Sequence, residues 1–239
     1  MCGRFTQERS DRELAEIFEA EQLGDDPGGR FNIAPTDPAT IVVQRDDRRA
    51  LTTYRWGLVP HWSTDASGAA RLINARAETV ATSSTFRDSL LRRRCLVPAD
   101  GFYEWQRLER RRQPYFIHHP DSTPLAFAGL WSGWRDPATN DVRRTFTIVT
   151  TAANERLGVL HDRMPVILPP DAWATWLDPT LNDTSELMAL LQPAPEDSLE
   201  LFPVVSLVNS VRNQGPELIA RLESPTLGVE GGIEATLGL

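Results

Sequence analysis

Lysine is absent from this chain: all 25 basic residues among its 239 are arginine. Without lysine, no side-chain amine can form a Schiff base with an aldehyde, so only the N-terminal α-amine remains for imine chemistry. Recognition of phosphate groups must likewise use guanidinium forks, which bind phosphate through two hydrogen bonds. A bias towards arginine codons is enough to explain the absence, so it restricts the chemistry without indicating a function.

Cysteine is scarce too, and Cys2 and Cys95 are the only two. Two thiols do not make a disulfide framework, which predicts a reducing, cytoplasmic setting. The sequence contains no run of about 18 apolar residues, so no membrane span is predicted. The N-terminus lacks the basic and apolar segments of a signal peptide, so none is expected. The pair His118-His119 with two cysteines has no metal-site spacing, so we expect neither a metal nor a cofactor.

The net charge is −8, and the isoelectric point is about 5.1. This acidity argues against a broad basic surface that coats nucleic acid, although it allows a local basic groove. The length and an apolar content of 41% suit one large globular domain. With no internal repeat or linker, we predict a single domain over residues 1–222, a monomer, and a flexible C-terminal tail over residues 223–239, which has few large apolar residues.

Strand and helix patterns do not alternate regularly along the chain. This favours an α+β fold with a largely antiparallel core, barrel-like or built from two packed sheets, and with peripheral helices. A capping box at residues 10–13 begins the first helix, and a strand pair at residues 40–44 and 51–58 flanks a charged turn. Further strands are predicted near residues 95–97, 102–106, 115–118, 125–131, 146–151 and 201–208, and helices after Ser84 and over residues 171–177 and 185–191.

Cys2 is the residue with the most distinctive chemistry. If Met1 is removed, Cys2 offers a thiol and a free α-amine on one carbon. The amine can form a Schiff base with an aldehyde, and the sulfur can then close onto the imine carbon as a five-membered thiazolidine. Reference pKa values near ~8 for the amine and ~8.5 for the thiol leave a usable nucleophilic fraction of each. A small residue after Met1 is nevertheless common and often inert.

Six ordered motifs follow Cys2-Gly3-Arg4-Phe5 along nearly the whole chain, and together with it they give the sequence its resemblance to a known family. They lie within residues 31–35, 55–62, 73–78, 95–105, 150–165 and 208–213. Together they resemble the SOS response-associated peptidase (SRAP) family. The resemblance implies binding of single-stranded DNA at abasic sites, a stable thiazolidine link through Cys2, and autoproteolytic release of the N-terminal methionine. It also implies association with the nucleoid when DNA is damaged.

Three further residues are candidates for catalysis beside Cys2. An abasic site carries an aldehyde masked as a hemiacetal, and His161 suits the proton transfers that open the ring, since imidazole exchanges protons near neutral pH. Glu104, if buried between its aromatic neighbours, would shuttle protons to the Cys2 amine and the imine; a solvent-facing glutamate is an equal alternative. Asn74 is expected to orient the substrate or Cys2 through its amide.

The candidate DNA-binding residues are arginines and aromatic or polar neighbours. In an extended segment Arg76 shares a face with Asn74, and Arg4 shares one with Cys2. An apolar platform could stack on bases beside the lesion, a contact worth ~1–3 kcal/mol per base; core packing is the alternative for at least one tryptophan. The platform would comprise Trp56, Pro60 and Trp62, and the resemblance adds Asn32, Thr150 and Arg163 around the site.

The leading hypothesis is therefore covalent capture of abasic sites in single-stranded DNA, which would protect the lesion. Two alternatives stay open. A thiol hydrolase would use Cys2 to cleave peptide or amide bonds with turnover on a substrate other than its own methionine. A non-catalytic reader of modified bases would need a base-sized pocket and would tolerate Cys2→Ala. The negative net charge mildly favours the hydrolase, whereas the arginines inside the motifs favour DNA.

Overall fold

The computed structural model describes residues 2–24, 26, 28–109 and 111–222. The predicted tail lies outside the described residues. The strands are β1 (Phe5–Gln7), β2 (Ala20–Gln22), β3 (Arg30–Ile33), β4 (Pro38–Arg45), β5 (Arg48–Trp56), β6 (Asn74–Arg76), β7 (Arg94–Ala99), β8 (Gly101–Arg107), β9 (Arg112–His118), β10 (Leu125–Arg135), β11 (Val142–Ala152), β12 (Arg163–Pro165) and β13 (Glu200–Pro203). The α-helices are α1 (Asp11–Ile17), α2 (Ala77–Val80), α3 (Arg87–Arg92), α4 (Glu155–Gly158), α5 (Trp173–Leu177) and α6 (Thr184–Ala189).

The larger sheet closes on itself as a five-stranded barrel. Strands β5, β4, β7, β10 and β11 follow one another through antiparallel pairs. Strand β11 then returns to β5 through a short parallel pairing of Thr145 with Arg55 and Phe146 with Trp56. Strands β2, β6 and β12 extend its wall. The prediction of an α+β fold with a largely antiparallel, barrel-like core is confirmed.

A second sheet, in the order β13-β9-β8-β1-β3, is antiparallel throughout and packs on the barrel. Phe5 of β1 makes the connection, because its ring meets Trp56 of β5 at 5.1 Å and Phe127 of β10 at 6.2 Å between centroids. Edge-to-face aromatic pairs of this kind add to the gain from burying apolar area. As a result β1 is fixed against the barrel, and so is the chain that leads into it.

The local predictions are largely confirmed, with shifted ends. Ser10 and Glu13 form the capping box of α1. The strand predicted over residues 51–58 ends at Trp56, since Gly57 has φ +118° and a Cβ there would lie 2.7 Å from the carbonyl oxygen of Ala69. The helix predicted over residues 171–177 begins as a 3₁₀ turn before α5. None of the described helices is long and apolar enough to cross a membrane.

The strand predicted over residues 201–208 is wrong in its second half. Strand β13 ends at Pro203, and a 3₁₀ turn follows at Ser206–Asn209. Val204 and Val208 are buried whereas Leu207 is 52% exposed. In a strand of period two, Ser206 would share the buried face of Val204 and Val208, but it is exposed, so the pattern belongs to a helical turn. The turn carries the chain over the outer face of β8, where the candidate site begins.

Candidate active site

Cys2 is fully buried just ahead of β1, between the smaller sheet and the barrel. The pairing of β1 with β8 continues towards it, since the backbone N–H of Tyr103 donates to the carbonyl oxygen of Arg4 at 3.0 Å. In an antiparallel ladder the partners advance in opposite directions. This register therefore places Cys2 alongside residues 104–105 of β8.

Asn74 holds the backbone of Cys2. Its Nδ2 donates to the Cys2 carbonyl oxygen at 2.8 Å, across 72 residues of sequence. Strand β6 fixes Asn74 by pairing in parallel with β11, where Asn74 lies opposite Ile148. The Oδ1 atom of Asn74 is buried and accepts no hydrogen bond from the described residues. The amide thus offers an acceptor inside the site that a donor on a substrate or on Cys2 could use.

Glu104 is only 4% exposed on β8, so the solvent-facing alternative does not describe it. It lies close enough to act on the Cys2 thiol. Burial raises the pKa of that thiol above its ordinary value, and the negative charge of Glu104 raises it further, whereas a hydrogen bond from the Arg4 backbone lowers it. In this state the thiol is protonated at neutral pH, and it needs a base before it can attack as a thiolate.

His161 lies at a cavity of about 500 Å³ next to β6. Its Nδ1 accepts from the backbone N–H of Arg163 at 3.0 Å and lies 2.7 Å from a carboxylate oxygen of Asp162. The first contact uses Nδ1 as an acceptor, whereas the second would use it as a donor. Neither contact uses Nε2. The cavity is lined by Arg76, Glu78, Thr79, Thr150, His161, Asp162 and Arg163.

Arg4 is anchored at the opposite side of Cys2. Its Nη1 atom donates to Asn32 Oδ1 at 2.7 Å and to the Val208 carbonyl oxygen at 2.8 Å. The guanidinium stacks 5.6 Å from the ring centroid of Trp105, whose indole N–H donates to Asn209 at 2.7 Å. Within the described part of the chain, the hydrogen bonds of this guanidinium use Nη1 alone.

Of the three residues expected to form an apolar platform for DNA bases, only Trp62 is exposed. Trp56 is fully buried and its indole N–H donates to the Ile73 carbonyl oxygen at 2.9 Å. Pro60 is buried as well. The expectation that these two stack on DNA bases is wrong, because both residues are buried. Trp62, by contrast, is 58% exposed on the loop that joins β5 to β6 and thereby to Asn74.

Asn32 and Thr150 are both buried, at 0% and 1% exposure. The Nδ2 atom of Asn32 donates to the carbonyl oxygens of Val208, Ser210 and Asn213, which ties residues 206–213 to Arg4. Thr150 is 1% exposed, and its carbonyl oxygen accepts from Arg163. A direct contact of Asn32 with DNA is therefore wrong, whereas Thr150 borders the cavity beside His161.

Comparison with known proteins places this arrangement in a family. The family model of the SOS response associated peptidase (SRAP) matches residues 1–211. The chain belongs to the SRAP family. The abasic site processing protein YoqW of Bacillus subtilis is 41% identical over 224 residues, which cover 92% of this chain and 99% of YoqW. The abasic site processing protein YedK of Escherichia coli is 35% identical, with the same coverage of both chains.

Solved structures agree with the fold of this SRAP domain. A crystal structure of a Bacteroides thetaiotaomicron protein superposes with a TM-score of 0.82 at 24% identity, covering 92% of this chain and 99% of the other. A phage-related protein of Bordetella bronchiseptica is 34% identical with a TM-score of 0.67 over 85% of this chain and 94% of its own. The abasic site processing protein HMCES of Gallus gallus is 36% identical, over 86% of this chain and 69% of HMCES.

Two parts of the SRAP site escaped sequence reasoning. Glu78 pairs with Arg163, 85 residues away, and Asn209 holds Trp105, 104 residues away. Each pair joins separate elements, so no local spacing announces it. The only local signal for Glu78 was its position two residues after Arg76, a candidate for DNA binding. Within the described residues, no group of three or more histidine, cysteine or acidic side chains is placed to hold a metal ion.

Proposed function

We propose that this SRAP protein binds single-stranded DNA and captures abasic sites covalently on Cys2 after removal of Met1. The observation that carries the proposal is the setting of Cys2: the amide of Asn74 holds its carbonyl oxygen, and the buried carboxylate of Glu104 acts on its thiol. An amine and a thiol on one carbon, flanked by an amide and a carboxylate, suit an aldehyde substrate. The relatives named above as abasic site processing proteins support this choice of aldehyde.

The covalent step balances without a cofactor. The Cys2 amine adds to the C1′ aldehyde carbon to give a carbinolamine, which loses water to form an imine. The Cys2 sulfur then adds to the imine carbon, the C=N electron pair moves to nitrogen, and the thiol proton ends on that nitrogen. The product is a thiazolidine, and the net change is the loss of one water.

Three residues would manage the protons of this sequence. Because the buried thiol is protonated at neutral pH, ring closure needs a base, and Glu104 is the nearby carboxylate. Asn74 Oδ1 would accept a hydrogen bond from the reacting nitrogen. His161, with its Nε2 outside the Asp162 and Arg163 contacts, would protonate and deprotonate the sugar oxygen as the hemiacetal opens.

The strand itself would be held by arginines and one tryptophan. Arg76 is exposed at the end of β6, two residues from Asn74, and Arg4 lies on the other side of Cys2. Trp62 offers an exposed indole on the loop between them in sequence. We propose that phosphates contact the two guanidinium groups and that a base next to the lesion stacks on Trp62.

Intact-mass spectrometry tests the capture. Wild-type protein lacking Met1, mixed with an abasic single-stranded oligonucleotide, should gain the oligonucleotide mass less one water. Cys2→Ala and Cys2→Ser both keep the α-amine and should give only a reversible imine that borohydride traps, with no stable product in its absence. The matched thiol control Cys95→Ala should react as wild type does. No adduct with wild type, or an equal one with Cys2→Ala, would show the proposal to be wrong.

A thiol hydrolase predicts a different outcome. It would turn over a peptide or amide substrate and leave the oligonucleotide unmodified. The protonated, fully buried thiol does not favour that activity, because hydrolases of this type attack with an accessible thiolate. A single release of Met1 is no evidence for turnover, and we propose it only as the event that unmasks the Cys2 amine.

A further inference from the structure

Arg163 lies on the wall of the cavity beside His161, and its guanidinium is already occupied. Nη1 and Nη2 donate to the two carboxylate oxygens of Glu78 at 2.5 and 2.9 Å. Nη2 also donates to the Thr150 carbonyl oxygen at 2.6 Å. The remaining Nε is buried without a partner in the described residues. No accessible fork is left on this side chain for a phosphate.

The geometry with Glu78 is the one that a phosphate would adopt. A carboxylate and a phosphate both present two oxygens to the pair of N–H groups at the end of a guanidinium. The Arg163 side chain is only 16% exposed, whereas that of Glu78 is 53% exposed. The arginine is therefore fixed to β11 through Thr150, and the carboxylate is the partner that can swing out into solvent.

Glu78 is charged under ordinary conditions. Hydrogen bonding from Arg163 holds the pKa of this carboxyl group below its usual range, and the positive charge of nearby Arg76 acts in the same direction. The cavity thus contains two arginines together with the negative charges of Glu78 and Asp162. A phosphate that enters must both overcome this repulsion and replace the carboxylate on Arg163.

We propose that, in the DNA-free protein, Glu78 occupies the position on Arg163 that a phosphate would take. Glu78 leaves this position when a strand binds, which lowers the affinity for intact DNA. The inference rests on the proposed function for the identity of the ligand, a nucleic-acid phosphate. Glu78 would then lower the affinity for every strand, because part of the binding free energy is used to separate Glu78 from Arg163.

Equilibrium binding of an intact single-stranded oligonucleotide, at several salt concentrations, tests this directly. Glu78→Gln should bind about fivefold more tightly at low salt, the size of one exposed ion-pair contact. Its plot of log K against log salt should keep the slope of wild type, because Arg163 contacts one phosphate in both complexes. Glu186→Gln, which removes one exposed charge on α6, is the matched control and should change neither quantity.

A double-mutant cycle distinguishes release of Arg163 from Glu78 from simple repulsion between the Glu78 carboxylate and the phosphates of DNA. In an Arg163→Ala background, the gain from Glu78→Gln should fall to that of Glu186→Gln. An unchanged gain would show that Glu78 acts by repulsion alone, and weaker binding by Glu78→Gln would show that it positions Arg163; either result overturns the inference. So does a failure of both wild type and Glu78→Gln to bind the intact strand at low salt.

The outcome is distinguishable from a failure of covalent capture. Binding of intact DNA does not involve the aldehyde or Cys2, so the fork can be tested whether or not an adduct forms. If wild type forms the adduct and Glu78→Gln binds intact DNA no better than Glu186→Gln does, only the role of Glu78 is wrong. If the affinity changes as expected and no adduct appears, only the thiazolidine proposal is wrong.

Discussion

At the scale of single residues, burial determines the state of the two thiols. Cys2 and Cys95 are both fully buried, and burial raises the pKa of each above its ordinary value. For Cys95 burial is the only cause, whereas for Cys2 the carboxylate of Glu104 adds to it. The same thiol chemistry therefore has two outcomes: Cys95 is an inert core residue, and Cys2 lies beside groups that can take its proton.

This burial predicts a loss of stability at alkaline pH. Each thiol stays protonated in the folded chain, whereas in the unfolded chain it ionises above about pH 8.5. The stabilisation is complete below that pH and is lost as the pH rises, because only the unfolded state then releases protons. Between about pH 8.5 and 9.5 the free energy of unfolding should fall by about 1 kcal/mol for each thiol, and the slope approaches about 1.4 kcal/mol per pH unit above that range.

Urea unfolding between about pH 8.5 and 9.5, below the usual range of tyrosine, measures this slope. Cys95→Ala removes one of the two groups and should halve the slope of protein that retains Met1. Its lower stability at neutral pH, from the small cavity, does not affect the comparison. An identical slope in wild type and variant would contradict the prediction.

At the scale of elements, the position of β1 decides where Cys2 lies. Strand β4 pairs with β7 only at Val42 and Val43, and Gln7 of β1 fills the space where the two barrel strands separate. Its Nε2 donates to the carbonyl oxygens of Thr40 and Pro98 at 2.7 and 2.8 Å. Its Oε1 accepts from the Thr40 N–H at 3.0 Å. One buried amide thus joins β1 to both strands.

Removal of this amide should destabilise the whole domain. Gln7→Ala leaves one N–H and two carbonyl oxygens buried without partners, and we expect a loss of about 2–4 kcal/mol in the free energy of unfolding. Gln7→Glu keeps the size but replaces the donor, so its loss should be similar. Gln44→Ala on β4, whose amide contact is exposed, should change stability by no more than about 0.5 kcal/mol. Equal stability of Gln7→Ala and Gln44→Ala in urea unfolding would refute the bridging role.

At the scale of the whole molecule, an acidic protein is proposed to bind a polyanion. The net charge of −8 repels DNA at long range. Attraction must come from the few arginines gathered around Cys2, and from stacking on Trp62. Stacking does not depend on counterion release, whereas contacts with phosphates do.

Trp62→Ala should therefore weaken binding without altering its salt dependence. We expect a loss of ~1–3 kcal/mol in affinity for an intact single strand, about fivefold to 150-fold. The slope of log K against log salt should stay that of wild type. Val159→Ala, at a residue 67% exposed, is the matched control and should bind normally. A changed slope, or an unchanged affinity, in a fluorescence titration would contradict the stacking role.

The sequence alone determined much about this protein. The lysine-free composition and Cys2 limited the imine chemistry to one amine, and ordered motifs indicated the SRAP family, to which the chain belongs. The α+β class, the capping box and the strand pair at β4 and β5 also followed from local pattern. These features depend on neighbours along the chain or on composition, which a sequence displays directly.

Only the tertiary structure decided which motif residues are exposed and which are buried. Trp56 and Trp62 lie six positions apart in one motif, yet one is fully buried and the other is 58% exposed. Glu78 meets Arg163 because β6 and β12 both pair with β11. Exposure and charge pairing depend on contacts between residues distant in sequence, and a chain acquires these contacts only when its strands close into the barrel.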